Sequence, residues 1–181
     1  DRLDHADFLA RVDVLGALGA TVMISRSPAH YALVAALRRA TAQPIAFAMG
    51  VPTLQAVFDE RYYTDLGGGI LEGLGRLFQA GVTLYGYPHR EPGGQLRTVE
   101  RLPVPAAVHP LYRFLCARGR IRPLGASDAS PLGILPGEAL ARLQAGDPSW
   151  EGLVPERAAA VIKARGLFGA RPAGGAPAAN R

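Results

Sequence analysis

The sequence predicts an α/β domain: a Rossmann-like parallel sheet of at least three strands, with helices on its faces and a helical C-terminal extension. Three observations carry this. Short β-prone apolar runs alternate with helical patterns through the first half of the chain, the order that right-handed crossovers in a parallel sheet require. Three later helical stretches each open at a proline, which suits a first helical turn. Of the 181 residues, 49% are hydrophobic, enough for a sizeable core and too many for general disorder.

The first helix is expected from about Asp4 to Leu18, with Gly19 as a left-handed stop. The run Thr21–Ser25 (TVMIS) reads as a strand buried on both faces. Ser27 and Pro28 supply an N-cap and first-turn proline for a helix reaching about Thr41. Pro44–Met49 is the next strand, and Gly50–Pro52 opens a short helix through Phe58. A glycine-started helix carries Ile70, Leu71, Leu74, Leu77 and Phe78 on one face, and Val82–Tyr87 is the third strand. Later helices are expected at Pro110–Arg118, Pro136–Gln144 and Pro155–Arg165, the last capped by Gly166. Trp150 is expected to pack the C-terminal helices together.

This divides the chain into an α/β core at 1–88, a Pro- and Gly-rich excursion at 89–108, and a helical extension at 109–169 packed on the same domain. The Ala-, Gly- and Pro-rich end, 170–181, reads as a disordered tail. Because the chain enters a helical pattern directly from Asp1, its start reads as a cut through a longer protein, with an N-terminal region missing. No signal-peptide pattern opens it, so the expected location is the cytoplasm. No apolar run approaches the roughly 18 residues that span a bilayer, and a membrane partner is not expected. One cysteine excludes a disulfide framework and a cysteine-based zinc site.

The net charge of +5 is local rather than global. Between Arg76 and Arg122 there are eight arginines against Glu91 and Glu100, and four fall at Arg113, Arg118, Arg120 and Arg122. Such a face attracts phosphates, nucleic acid or acidic partners. Interleaved aromatics and glycines of an RNA-binding motif are missing, so nucleic acid is disfavoured.

Ligands of open parallel sheets sit beyond the carboxyl ends of the strands. That rule selects Arg26 and Ser27, Gly50, and the segment with His89 and Arg90. Two of these run into helix N-termini, which favour anions. Pro28 and Pro52 remove a donor from each, so ordinary strand-to-helix turns explain the same residues. Walker and G-x-G-x-x-G patterns are absent.

The stretch Phe58–Glu72 is the densest polar segment of the core region and offers Asp59 and Glu60 for acid–base work. His89, at a strand end, is the best-placed histidine. Convergence from more than one segment is what catalysis needs, and local explanations account for these residues too. No two histidines have the spacing of a helical metal site, and no metal is expected. Cys116 reads as a small apolar residue rather than a nucleophile. No nucleophile elbow is present, and no cofactor is specified.

Several segments in order carry a resemblance: Phe8–Asp13 (FLARVD), Met49–Pro52 (MGVP), Phe58–Tyr63 (FDERYY), Gly68–Glu72 (GGILE), Leu84–Pro88 (LYGYP), Gly146–Glu151 (GDPSWE), Val154–Pro155 and Gly166–Gly169 (GLFG). Together they resemble the C-terminal portion of a family of larger bacterial cytosolic proteins that carry the labels "TonB-dependent receptor" and "nicotinate-nucleotide adenylyltransferase". The resemblance covers roughly 8–169. It implies a preceding N-terminal region and supplies no catalytic residues. The first label requires an outer-membrane barrel of many alternating strands, which this sequence lacks. The second implies a His-x-Gly-His motif, also absent, and Ile24–Ser27 (ISRS) only partly echoes the second motif that label implies, Ile-Ser-Ser-Thr-x-x-Arg.

The leading functional expectation is a bacterial α/β domain binding an anionic small molecule, of phosphate or nucleotide type, near Arg26, Ser27, Gly50 and Arg90. One alternative is an enzyme acting on a phosphorylated or nucleotide substrate, nucleotidyltransferase-like, with Asp59, Glu60 or His89 contributing. The other is an interaction module whose basic face docks an acidic partner or the missing N-terminal region. Oligomeric state is left open.

Overall fold

Two six-residue apolar runs, Ile45–Gly50 (β1) and Val82–Tyr87 (β2), lie side by side in parallel in the computed structural model, in register from Ile45 opposite Val82 to Gly50 opposite Tyr87. It describes residues 4–27, 29–79, 81–91, 93–125, 132, 134 and 136–170. The expected tail beyond 170 and the expected first-turn Pro28 lie outside the described residues. Compact packing divides the chain into one unit of 25–133 and another of 1–24 with 134–181. The change in composition after Pro88 falls inside the first of these.

In the 25–133 unit, α2 (His30–Leu37) precedes β1, and α3 (Val51–Ala56), a 3₁₀ turn at Glu60–Tyr63 and α4 (Gly69–Leu77) connect β1 to β2. A short antiparallel hairpin, β3 (His89–Arg90) with β4 (Leu96–Arg97), follows inside the expected excursion. After a second 3₁₀ turn, α5 (His109–Ala117) leads to β5 (Ile121–Pro123), which pairs in parallel with β2. The sheet order is therefore β1-β2-β5. The fold is α/β, with a three-stranded parallel sheet flanked by helices.

Alternation along the strands sorts their residues. Phe47, Met49, Val82, Leu84 and Ile121 enter one core with Val34, Val51, Leu54, Phe58, Leu74, Leu77, Tyr112 and Leu115. Phe58, fully buried, meets Tyr112 edge-to-face at 5.1 Å. Ala46, Ala48 and Tyr87, on the alternate positions, are exposed. Gly86 is glycine for a packing reason: a Cβ there would lie 2.6 Å from Val99 Cγ2 and 3.0 Å from Leu54 Cδ2. The ladder is started by Ile45 N–H donating to the Gly81 carbonyl at 3.0 Å. Arg38 reaches back from the end of α2 and donates to the Gln43 carbonyl at 2.5 Å, fixing the approach to β1.

Three expectations are corrected. Thr21–Ser25 is not a strand; it has no regular structure, and Met23 and Ile24 are 59% and 60% exposed. An apolar β-prone run forms a strand only where a neighbour supplies a ladder, and none pairs with it among the described residues. The third strand is instead β5, whose Arg122 and Pro123 hide it. Ser27 does not cap α2, whose N-cap is Ala29; the Ser27 N–H donates to Ser25 Oγ at 3.1 Å. Leu71 is not on the buried stripe of α4 but 69% exposed.

The other unit is helical: α1 (His5–Ala17), α6 (Pro136–Gln144), a 3₁₀ turn at Pro148–Leu153, α7 (Glu156–Arg165) and a last turn at Leu167–Gly169. Asp4 caps α1, accepting from the N–H groups of Ala6 and Asp7. Trp150 packs with Leu143, Ala159 and Ile162 as expected. Gly166, at φ 62°, ends α7 in the left-handed conformation. Arg165 pairs with Asp13 at 2.7 Å and Lys163 with Glu151 at 2.7 Å. No helix among the described residues is long and apolar enough to cross a membrane.

Candidate functional site

At the carboxyl end of β1 the chain turns directly into α3. A Cβ on Gly50 would stand 3.3 Å from the ring and hydroxyl of Tyr87, its register partner. The space that an anion cradle needs is thus lined by an aromatic ring. Pro52 is the second residue of α3, which has six residues and no side-chain cap. Arg26 is exposed, and Arg90, also exposed, donates to the Gly94 carbonyl at 3.3 Å across the β3–β4 turn. Arg26, Ser27, Gly50 and Arg90 line none of five prominent clefts among the described residues, and neither does His89, half-buried in β3.

Asp59 and Glu60 do line a cleft, of about 510 Å³, with Gln55, Phe58, Tyr62 and Pro105. Asp59 caps the 3₁₀ turn there, accepting from the Arg61 N–H at 3.0 Å and from Arg61 Nη2 at 2.6 Å. Those bonds hold its carboxyl below the usual carboxylate range. An ionised carboxylate with its lone pairs already engaged is a poor general acid. Glu60 is exposed. No cluster of three His, Cys, Asp or Glu side chains able to hold a metal occurs among the described residues.

Next to this cleft, His30 lines a smaller one of about 230 Å³ with Thr53, Tyr62 and Tyr63. Its ring meets Phe47 edge-on at 5.8 Å, and burial lowers its pKa. Cys116 borders a third cleft with Glu100, His109 and Tyr112. Burial pushes its thiol up, away from the thiolate that chemistry needs.

A further groove in this unit differs in kind. It has a volume of about 410 Å³ and runs between α4 and α5 over Leu71, Leu74, Phe78, Leu111, Phe114 and Leu115. Leu71 is 69% exposed and Phe114 58%. Arg118 and Arg120 border the same groove, which no carboxylate among the described residues lines. Arg76 on α4 is already bound to Glu72 at 2.5 Å. The guanidinium groups of Arg118 and Arg120 have no hydrogen bond or ion pair among the described residues. Arg120 is placed firmly by its backbone, donating to the Leu115 carbonyl at 2.8 Å and accepting from Leu84 N–H at 2.9 Å. A hydrophobic trough with a cationic end is the result.

The sequence signal for the arginine half was the run Arg113–Arg122. The apolar half was missed. Phe114 sits between Arg113 and Leu115, well off the stripe formed by Tyr112 and Leu115 at about 100° per residue, and that offset was the available clue. Comparison with family models, with curated proteins and with solved structures gave no match.

Proposed function

We propose that the 25–133 unit is a docking domain, and that its α4–α5 groove receives a short amphipathic, acidic segment of a partner protein. The observation that carries this is the pair of exposed apolar side chains, Leu71 and Phe114, beside the unpaired Arg118 and Arg120. Exposed large apolar residues at a concave, charge-rimmed site favour burial against a partner. Unpaired arginines at the rim select carboxylates and speed encounter. The trough is concave, which suits the ridge of a helix better than the plane of a bilayer, and its floor of Leu and Phe offers phosphates nothing.

A labelled synthetic helical peptide of Leu, Phe, Ala and Glu tests the reading by fluorescence anisotropy, beside its Lys-for-Glu counterpart and anionic vesicles. The Glu peptide is expected to bind saturably and to weaken as salt rises. Arg118→Glu with Arg120→Glu weakens it about tenfold or more, the effect of losing about 1.4 kcal/mol. Equal binding of the two peptides, binding of neither, or binding of the vesicles alone overturns the proposal.

A further inference from the structure

The geometry points to a second binding site, in the unit formed by 1–24 and 134–181: an apolar cavity between Trp150 and Phe168, bordered by the Arg11 guanidinium, that takes a compact hydrophobic carboxylic acid. The cavity has a volume of about 290 Å³ and is lined by Leu140, Leu143, Trp150, Val154, Ile162 and Phe168. Small-molecule sites have this make-up, a mostly apolar wall with few polar groups that fix orientation. Arg11 is the one charged side chain in the lining among the described residues.

Arg11 is held for the task. Its Nε donates to Asp7 Oδ2 at 2.8 Å and its Nη2 to Asp7 Oδ1 at 3.2 Å, one helical turn away on α1. A guanidinium carries five N–H donors, so this fixes its plane with two and leaves three. Neighbouring cations are committed elsewhere, Arg165 to Asp13 and Lys163 to Glu151. The Arg11 Cζ lies 5.5 Å from the centre of the Phe168 ring. Asp7, which anchors Arg11, does not line the cavity, and neither does any other carboxylate among the described residues.

Phe168 supplies the second, independent observation. At φ 57° it is the one non-glycine residue with positive φ among the described residues. That conformation costs an aromatic residue roughly 1–2 kcal/mol, and glycines stand close by at 166 and 169. Strained residues persist where surrounding structure over-determines them, and they cluster at ligand clamps. Here the strained backbone places the Phe168 ring on the cavity wall and against Arg11.

Trp150 is the only tryptophan of the sequence and lines this cavity, so its emission reports occupancy directly. The test titrates the full chain with 3-phenylpropionate and with 3-phenylpropionamide, its neutral analogue. The acid is expected to change Trp150 emission saturably and to bind about tenfold or more tighter than the amide. Arg11→Gln brings the acid down to the level of the amide, and Ala139→Phe, which fills the cavity, removes both. The comparison of acid and amide uses the unaltered chain, so a variant that folds poorly leaves the test intact. No saturable change with either compound, or equal affinity for the two, overturns the inference.

Discussion

Gly73 on α4 lies so close to Tyr63 that a Cβ there would fall inside the van der Waals envelope of its ring. Tyr63 cannot yield, because it is buried and its hydroxyl donates to the Val57 carbonyl at 2.6 Å. Gly73→Ala is therefore expected to lower stability by about 1–3 kcal/mol, the usual cost of overpacking. Two residues on, Gly75 has open space around its Cβ position, and Gly75→Ala is expected to raise stability by about 0.5–1 kcal/mol through helix propensity. Urea unfolding of both variants checks the opposite signs. Two shifts of the same sign contradict the packing described.

His30 predicts an acid limb. Burial lowers its pKa from the ordinary value of 6.5, so the unfolded chain binds that proton more readily than the folded one. The stability this contributes is full above pH 6.5 and is lost as pH falls through the lowered value. His30→Phe keeps a ring against Phe47 and removes the titration. Urea midpoints between pH 5 and 7.5 should then fall less steeply for the variant than for the parent. Parallel curves count against the assignment.

Alkaline pH reads the other end of the same core. Burial pushes Tyr63 up to about 12 and raises Tyr112 further, with Cys116 adding to the effect. A phenol with its pKa raised on folding stabilises fully below its unfolded value near 10, and that contribution is lost as pH rises through the folded value. Two of the six tyrosines should thus ionise only as the far-UV circular dichroism signal is lost. Ionisation of all six near pH 10 with the signal intact excludes the buried positions described.

Leu71 and Phe114 should behave unlike core residues. Both are exposed, so Leu71→Gln and Phe114→Gln are expected to change stability by no more than about 0.5 kcal/mol. Phe58→Ala, by contrast, removes a fully buried ring and is expected to cost about 3–5 kcal/mol. Thermal unfolding of the three variants separates the classes.

What could be read in the sequence follows from which information is local. β1 and β2 are apolar runs bounded by Pro44 and Gly81, and turn residues mark such strands. Asp4 at the start of α1 and Gly166 at the end of α7 are caps whose chemistry is complete within a few residues. Thr21–Ser25 has the same texture as β1 but no partner strand, and pairing is a tertiary property. β5 has a single buried residue, Ile121, and exists because Leu84–Gly86 offers it a ladder. The groove divides in the same way. Its arginines stand together in the sequence, whereas Leu71 and Phe114 lie on different helices, and Leu71 reads individually as core.

The docking surface is tested most directly by mapping where the acidic peptide lands. In ¹H–¹⁵N spectra of the labelled full chain, the peptide of Leu, Phe, Ala and Glu should shift the amides of Leu71, Gly75, Phe78, Phe114, Arg118 and Arg120. Those shifts should vanish with Arg118→Glu and Arg120→Glu. Shifts concentrated instead at Gly50, Tyr87 and Arg90, at the carboxyl ends of β1 and β2, would contradict the account and move the binding site to the strand ends.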